Sequence, residues 1–405
     1  MHIVQLTNEY PPHVYGGAGV HIEYLTRELA ALDDGAHRID VLCFGDQDER
    51  HGNLRVRGID PPFVPEGFDP RHRKLFDTLQ RNLMMAGAAE GAAIAHGHTW
   101  YSHFAGCLVK QLTGAKLVLT THSLEPHRPW KAEQLGTAYH ASAWVERTAY
   151  ENADGVIAVS PSMKDDVQAL YGVPDHKIRV IPNGIDPAEY RPVSDEGVLR
   201  ANGIDPAVPF VLFVGRITRQ KGIIHLVRAL HHLRPGTQVV LAAGAPDTEE
   251  IGREMEAAVA EACAATGLPI VWIREMLPRE DVIALYAHAA VFVCPSVYEP
   301  FGIINLEAMA CETAVVASAV GGIPGVVVDG ETGLLVPFEA RGEEDFEPRD
   351  PDAFAQALAE AVNTLLADPA RRAAFGRAGR ARVEAHFSWR AVARQTLDFY
   401  QALTA

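Results

Sequence analysis

Short apolar runs alternate with amphipathic stretches along almost the whole chain. His2–Leu6 predicts a strand, and Ile22, Leu25, Leu29 and Leu32 then recur at the spacing of one helix face. Arg38–Phe44 predicts a second strand. Lys116–Thr121 and Gly155–Ser160 predict two more, with a helix over Ala138–Asn152 between them. Such alternation implies a parallel sheet with helices on its faces. Pro182 and Gly184 interrupt the pattern at VIPNGID, Val180–Asp186, and it then restarts. Phe210–Val214, Gln238–Ala242, Ile270–Trp272, Val291–Cys294 and Ala314–Ala317 predict a second set of strands. Phe387–Leu403 predicts a terminal helix with Trp389, Val392, Thr396, Tyr400 and Leu403 near one face. The expected class is α/β: two doubly wound Rossmann-like domains, residues 1–183 and 184–386, then a terminal helix over 387–405. Ligands of such sheets bind outside the carboxyl ends of the strands, so one interdomain cleft is expected.

Composition narrows the partners. The 405 residues are 48% apolar and 22% charged, ample for two hydrophobic cores. A net charge of −16 argues against nucleic acid and against an anionic membrane surface. The five cysteines are scattered without C-x-x-C spacing, which fits a reducing cytoplasm and neither a disulfide framework nor structural zinc. No signal peptide and no membrane span are expected.

The sharpest candidate chemistry lies in CPSVYEPFGIINLEAMACET, Cys294–Thr313. A buried strand ends at Cys294 and a helix opens near Phe301–Gly302. A helix start offers unpaired N–H groups and the positive end of the dipole, a seat for a diphosphate. Glu299 before the helix and Glu307 inside it suit hydroxyl-rich ligands, one for a hexose and one for a ribose. In FVLFVGRITRQKG, Phe210–Gly222, a strand delivers Arg216, Arg219 and Lys221 to a loop that could neutralise a leaving diphosphate. Arg219 is the expected bystander.

The first domain carries NEYPPHVYGGAGVH, HGHTWYSHFAG and THSLEPHRPWK, each beside a strand. The glycine run is not a dinucleotide fingerprint, because Ile22 occupies the last glycine position. His, Trp, Tyr and Glu in the other two suit a sugar. His96, His98 and His103 lack a recognisable metal-ligand spacing, so no metal is expected.

Taken together, EYPPHVYGGAGVH, HGHTWY, THSLEPHRPWKAEQLG, VIPNGID, GRITRQKG and PSVYEPFGIINLEAMAC make the chain resemble family 4 of the retaining GT-B glycosyltransferases over essentially its whole length. Within that family it is similar to the actinobacterial glycogen synthase or α-maltose-1-phosphate synthase type. The resemblance implies that Glu299 holds the donor hexose and Glu307 the ribose. It implies a diphosphate clamp of Arg216 and Lys221, with backbone donors from Gly302, Ile303 and Ile304. Gly16 and Gly17 would lie beside the donor phosphates, and His122 near the sugar. His98, Trp100, Tyr101, Glu125 and Arg128 are the expected acceptor contacts. The terminal helix would cross back to the first domain. The implied donor is ADP-glucose or UDP-glucose, with ADP favoured. The implied acceptor is glucose 1-phosphate or a glucan non-reducing end, with no cofactor and no metal. A family 4 enzyme acting on a lipid, thiol or polyol acceptor, and a GT-B sugar-nucleotide epimerase, remain alternatives. Two positions depart from the family pattern: Gly325 stands where glutamate is usual, and Glu312 where glycine is usual.

Overall fold

The structure is a computed structural model that describes residues 1–14, 16–61, 69–342 and 345–405. Tyr15 of the glycine-rich motif therefore lies outside the described residues. The chain divides into two compact units, Met1–Gly184 with Trp389–Ala405, and Ile185–Ser388.

The first unit is built on β1 (His2–Leu6), β2 (Arg38–Phe44), β3 (Asp48–His51), β4 (Leu54–Ile59), β5 (Ile94–Gly97), β6 (Lys116–Thr121), β7 (Gly155–Ala158) and β8 (Ile178–Val180). Their order is β3-β4-β2-β1-β5-β6-β7-β8. All neighbours are parallel except β3 and β4. Side chains alternate across the sheet with period two. Ile3 enters the core on one face, with Ile22, Leu25 and Leu29 of the Gly17–Ala31 helix. Val4 and Leu6 enter the core on the other, with Met85, Ala105 and Val109. The predicted strand Gly155–Ser160 stops at Ala158, because Ser160 instead caps the Pro161–Tyr171 helix by accepting from the Met163 N–H at 3.1 Å.

The terminal helix, Trp389–Thr404, starts two residues later than its apolar face predicts and belongs to this first core. The Trp389 ring stacks on Tyr24 with centroids 5.4 Å apart and planes 3° from parallel. Burying each such apolar side chain contributes about 1.5–3 kcal/mol, so the helix is an integral layer of the unit.

The second unit carries β9 (Phe210–Arg216), β10 (Gln238–Gly244), β11 (Ile270–Ile273), β12 (Val291–Cys294), β13 (Val315–Ser318) and β14 (Gly333–Val336), all parallel, in the order β11-β10-β9-β12-β13-β14. Val211, Phe213, Val239, Leu241, Val291 and Val293 fill one core against Leu226, Leu358 and Val362. Both units are Rossmann-like. Among the described residues no helix is long and apolar enough to cross a membrane.

Candidate active site

In a doubly wound sheet the crevice opens where the strand order reverses, between neighbours whose connections leave in opposite directions. In the second unit that point lies between β9 and β12. Arg216 is the last residue of β9, and the loops that follow the two strands carry Lys221 and Glu299. They are tied together: the Val297 N–H donates to the Gln220 carbonyl at 3.0 Å. Gly222, at φ +59°, approaches so closely that a Cβ there would lie 2.0 Å from the Pro295 carbonyl oxygen.

Lys221 Nζ donates to Glu299 Oε2 at 2.7 Å, and the Ser296 hydroxyl donates to the same oxygen at 3.2 Å. Burial works against the Lys221 ammonium, but the Glu299 carboxylate outweighs it and holds Lys221 above its ordinary value. Arg216 donates to Asp247, whose side chain is almost fully buried. Arg219 pairs with Glu254 at 2.8 Å, away from these loops' shared carboxylate. The helix Ile303–Ala310 begins immediately after Gly302, which sits at φ +96° and ψ +55°. A helix has no acceptor of its own for its first N–H groups, and Ile303 and Ile304 occupy those places. Glu307 lies inside this helix, buried. It accepts from the Tyr286 hydroxyl at 2.9 Å and the Tyr190 hydroxyl at 3.3 Å. Burial raises its pKa, while both tyrosine bonds oppose the rise. A cationic pair, a carboxylate and a helix start at one switch point can hold a phosphate-bearing sugar and stabilise charge on a departing phosphate.

Of the two family departures, Glu312 sits at φ +60°, the left-handed region in which glycine is at ease. A Cβ on Gly325 would meet nothing within 4 Å, so a side chain there would have open space.

In the first unit the order reverses between β1 and β5. After β1 the chain reaches Glu9, which is buried and accepts from the Gly16 N–H at 2.9 Å. That bond fixes the Gly16–Gly17 entry to the Gly17–Ala31 helix. After β5 and β6 come His98 and His122. His98 Nδ1 and His122 Nε2 are 3.1 Å apart, and His98 Nε2 lies 2.7 Å from Gln5 Oε1. His21 Nδ1 meets Asn183 Oδ1 at 2.6 Å. Burial drives His21 down to about 4 and His103 to about 3, and holds His96, His98 and His122 well below their ordinary value. All five rings are therefore neutral at neutral pH.

Ring nitrogens of His21, His98 and His122 lie within 4.8 Å of one another, close enough to raise the question of a metal. The His98–His122 separation of 3.1 Å is that of a hydrogen bond. Two nitrogens bound at about 2.1 Å to a tetrahedral ion stand roughly 3.4 Å apart. Within the cluster His98 and His122 share a hydrogen bond, while His21 bonds Asn183.

Three of the expected acceptor contacts are buried and engaged by neighbours in their own unit. His98 is 1% exposed, with both nitrogens engaged inside the unit. Trp100 is buried against Leu135 and Ala138 and stacks on Tyr101 at 4.2 Å. Glu125 is 1% exposed and accepts from the Ser142 hydroxyl at 3.0 Å. Each is held by packing or an internal partner, as Glu299 and Glu307 are in the second unit. Tyr101 and Arg128 remain half-buried, and Arg128 Nη1 is 3.2 Å from the Ser123 hydroxyl. Glu9, Gln5, Tyr400, Asp247, Tyr190 and Tyr286 are the partners that motif reading missed. No signal in spacing or residue type near the motifs singles them out.

Comparison with known proteins follows this division. A family model described as Glycosyltransferase Family 4 matches residues 15–189, and one described as Glycosyl transferases group 1 matches residues 196–382. Together with the two Rossmann-like units, these matches define a GT-B glycosyltransferase. The chain is 49% identical to the α-maltose-1-phosphate synthase of Mycolicibacterium smegmatis over 100% of both chains. It is 30% identical to a glycogen synthase of Mycobacterium tuberculosis over 99% of this chain and 95% of that one. Among solved structures, the sucrose-phosphate synthase of Thermosynechococcus elongatus superposes with a TM-score of 0.79 at 30% identity, covering 100% of this chain and 99% of that one. The chain belongs to the family 4 glycosyltransferases of the α-maltose-1-phosphate synthase and glycogen synthase type.

Proposed function

We propose that the enzyme moves a glucosyl group, with retention of its α configuration, from ADP-glucose to the 4-hydroxyl of glucose 1-phosphate. UDP-glucose is the second donor to test, and a glucan non-reducing end the second acceptor. One observation carries the reading: Arg216, the Lys221–Glu299 pair and the Ile303–Ala310 helix start are assembled at one switch point. Greater identity to the relatives named for maltose 1-phosphate than to those named for glycogen favours the phosphorylated acceptor.

In this reading the bond from the anomeric carbon to the diphosphate oxygen breaks, and its electron pair leaves with the diphosphate. Arg216, Lys221 and the N–H groups of Ile303 and Ile304 stabilise that charge as it develops. Glu299 holds the glucose hydroxyls. His122 steadies the oxocarbenium-like sugar. The acceptor hydroxyl forms the new bond on the same face and passes its proton to the departing phosphate. Because Arg216 and Lys221 supply the positive charge, no step is assigned to a metal, and chelator should leave the rate unchanged.

The test is to incubate the enzyme with ADP-glucose or UDP-glucose, each with glucose 1-phosphate or glycogen, and to identify the products. Maltose 1-phosphate from ADP-glucose is expected. Donor converted to a sugar isomer without acceptor would instead establish an epimerase.

A further inference from the structure

The first unit contains a polar row on an otherwise apolar sheet face. Ile3 and Ile94 enter the core beneath the terminal helix, and two residues further along their strands stand Gln5 and His96. Val118 enters the same core, and two residues beyond it stands Thr120. All three polar residues are at most 1% exposed, so each must find its partners inside the protein.

They do so in one continuous chain. His122 Nε2 meets His98 Nδ1 at 3.1 Å, and His98 Nε2 meets Gln5 Oε1 at 2.7 Å. Gln5 Nε2 donates to the Tyr400 hydroxyl at 3.1 Å. That hydroxyl meets His96 Nδ1 at 2.5 Å, and His96 Nε2 meets Thr120 Oγ1 at 2.7 Å. Each histidine is neutral, because burial opposes its charged form. A neutral imidazole donates through one nitrogen and accepts through the other. The direction of every bond is then set by the direction of any one of them.

Gln5 sets that direction. Its carbonyl oxygen can only accept, so His98 carries its proton on Nε2. His98 Nδ1 is left as an acceptor, and His122 must donate to it from Nε2. Tyr400 accepts from the Gln5 amide nitrogen and so donates to His96 Nδ1, consistent with that orientation of the amide. His122 Nδ1 has no hydrogen-bond partner among the described residues, and in this arrangement it carries a lone pair.

We propose that Gln5 and Tyr400 are positioning residues that, through His98, fix the tautomer of His122 so that it offers Nδ1 as an acceptor to a sugar hydroxyl. The assignment of the sugar rests on the function proposed above, but the tautomer itself does not. Neither residue touches His122. Tyr400 belongs to the terminal helix, 395 positions along the chain from the glutamine it holds.

The experiment uses full-length protein labelled with 15N in histidine. Nitrogen shifts in NMR report which ring atom is protonated, alongside kinetics of transfer. In the wild type, His122 is expected to be protonated on Nε2 and bare on Nδ1. Gln5→Leu removes both bonds and is expected to mix the tautomers and lower kcat about tenfold, with little change in donor KM. Gln5→Glu, which keeps an acceptor toward His98, should restore most of kcat. Tyr400→Phe removes one oxygen and should mix the tautomers to a lesser degree, and it decides the matter if Gln5→Leu does not fold. Wild-type His122 protonated on Nδ1 overturns the proposal, as does an unchanged tautomer in any folded variant lacking the relay. The expected tautomer in a protein that transfers no glucose would refute the proposed function and leave the relay standing.

Discussion

Lys221 Nζ donates to Glu299 Oε2 across 2.7 Å, joining two loops 78 positions apart in the chain. The bond does two separable things: it pairs a buried carboxylate and it places a cation at the switch point. Lys221→Ala should lower kcat/KM by about 10²–10³, the usual cost of losing one preorganised charge stabiliser. It should also destabilise the fold by about 3 kcal/mol, because Glu299 keeps a buried charge without its cation. Adding Glu299→Gln should recover most of the stability and none of the activity. Paired denaturation and steady-state measurements check both halves. Near-normal turnover by the single variant would remove Lys221 from the site.

Gly302 precedes the Ile303–Ala310 helix at φ +96°, and a Cβ there would lie 2.6 Å from Asn305 Nδ2. Gly302→Ala should therefore cost about 1–2 kcal/mol in backbone strain. The helix start would turn, and donor KM should rise with a smaller change in acceptor KM. Equal effects on both substrates would argue that the helix start does not meet the donor.

Glu146 is buried beside Glu125, and its pKa is pushed up to about 8, by burial first and by the Glu125 charge second. Its carboxyl oxygen accepts from the Glu125 N–H at 2.8 Å and from the Tyr171 hydroxyl. A raised carboxyl pKa means that the folded state holds the proton more tightly than the unfolded state. Stability from this group is full below the unfolded value of 4.5 and is lost as pH rises toward about 8. Glu146→Gln keeps the acceptor oxygen and removes the titration. It should match the wild type near pH 4.5 and exceed it at pH 8 by at least about 1.4 kcal/mol, the worth of one pKa unit. Urea midpoints across that range measure the difference, and parallel curves for the two proteins would contradict it.

Glu312 occupies a left-handed backbone position at φ +60°, and its carbonyl packs where a Cβ on Gly376 would lie only 1.9 Å away. Glu312→Gly should raise stability by about 1 kcal/mol, since a side chain pays to adopt that conformation and glycine does not. A rise of a few degrees in Tm with unchanged kcat is expected. A fall in Tm would show that the glutamate side chain holds something that outweighs the strain.

Period and breakers were enough to read β1, β2, β6, β7, β9 to β13 and the restart after Asn183, because buried parallel strands are apolar runs bounded by turns, whereas β3, β4, β8 and β14 were not read. Arg216 at the end of β9 and the loops bearing Lys221 and Glu299 were legible for the same reason, since each loop follows such a strand directly. The surroundings of the first unit's motifs were less legible. His98, Trp100 and Glu125 have side chains that suit a sugar, yet each lies inside, where Gln5, Leu135 or Ser142 takes it up. Residue type alone does not say which way a side chain faces a core. The partners that settle the question come from other elements of the unit, such as β1 for Gln5 and the Ala138–Asn152 helix for Ser142. Glu307 shows the same gap: its eight-residue spacing from Glu299 was visible, whereas the hydroxyls of Tyr190 and Tyr286 that hold it were not.

The terminal helix gives the molecule an order of assembly. Its first unit is interrupted by the second, so the segment that closes its core is made only after the whole second unit. At ~5–20 residues per second, the second unit takes on the order of ten seconds or more to be made, and it can fold in that interval. The first unit meanwhile waits without Trp389 and Tyr400, its sheet face uncovered and the Gln5 amide nitrogen without the Tyr400 hydroxyl. A chain cut before Trp389 would thus hold a complete second unit beside a first unit with an open core. Arrival of the terminal helix, rather than folding of the second unit, completes the first core.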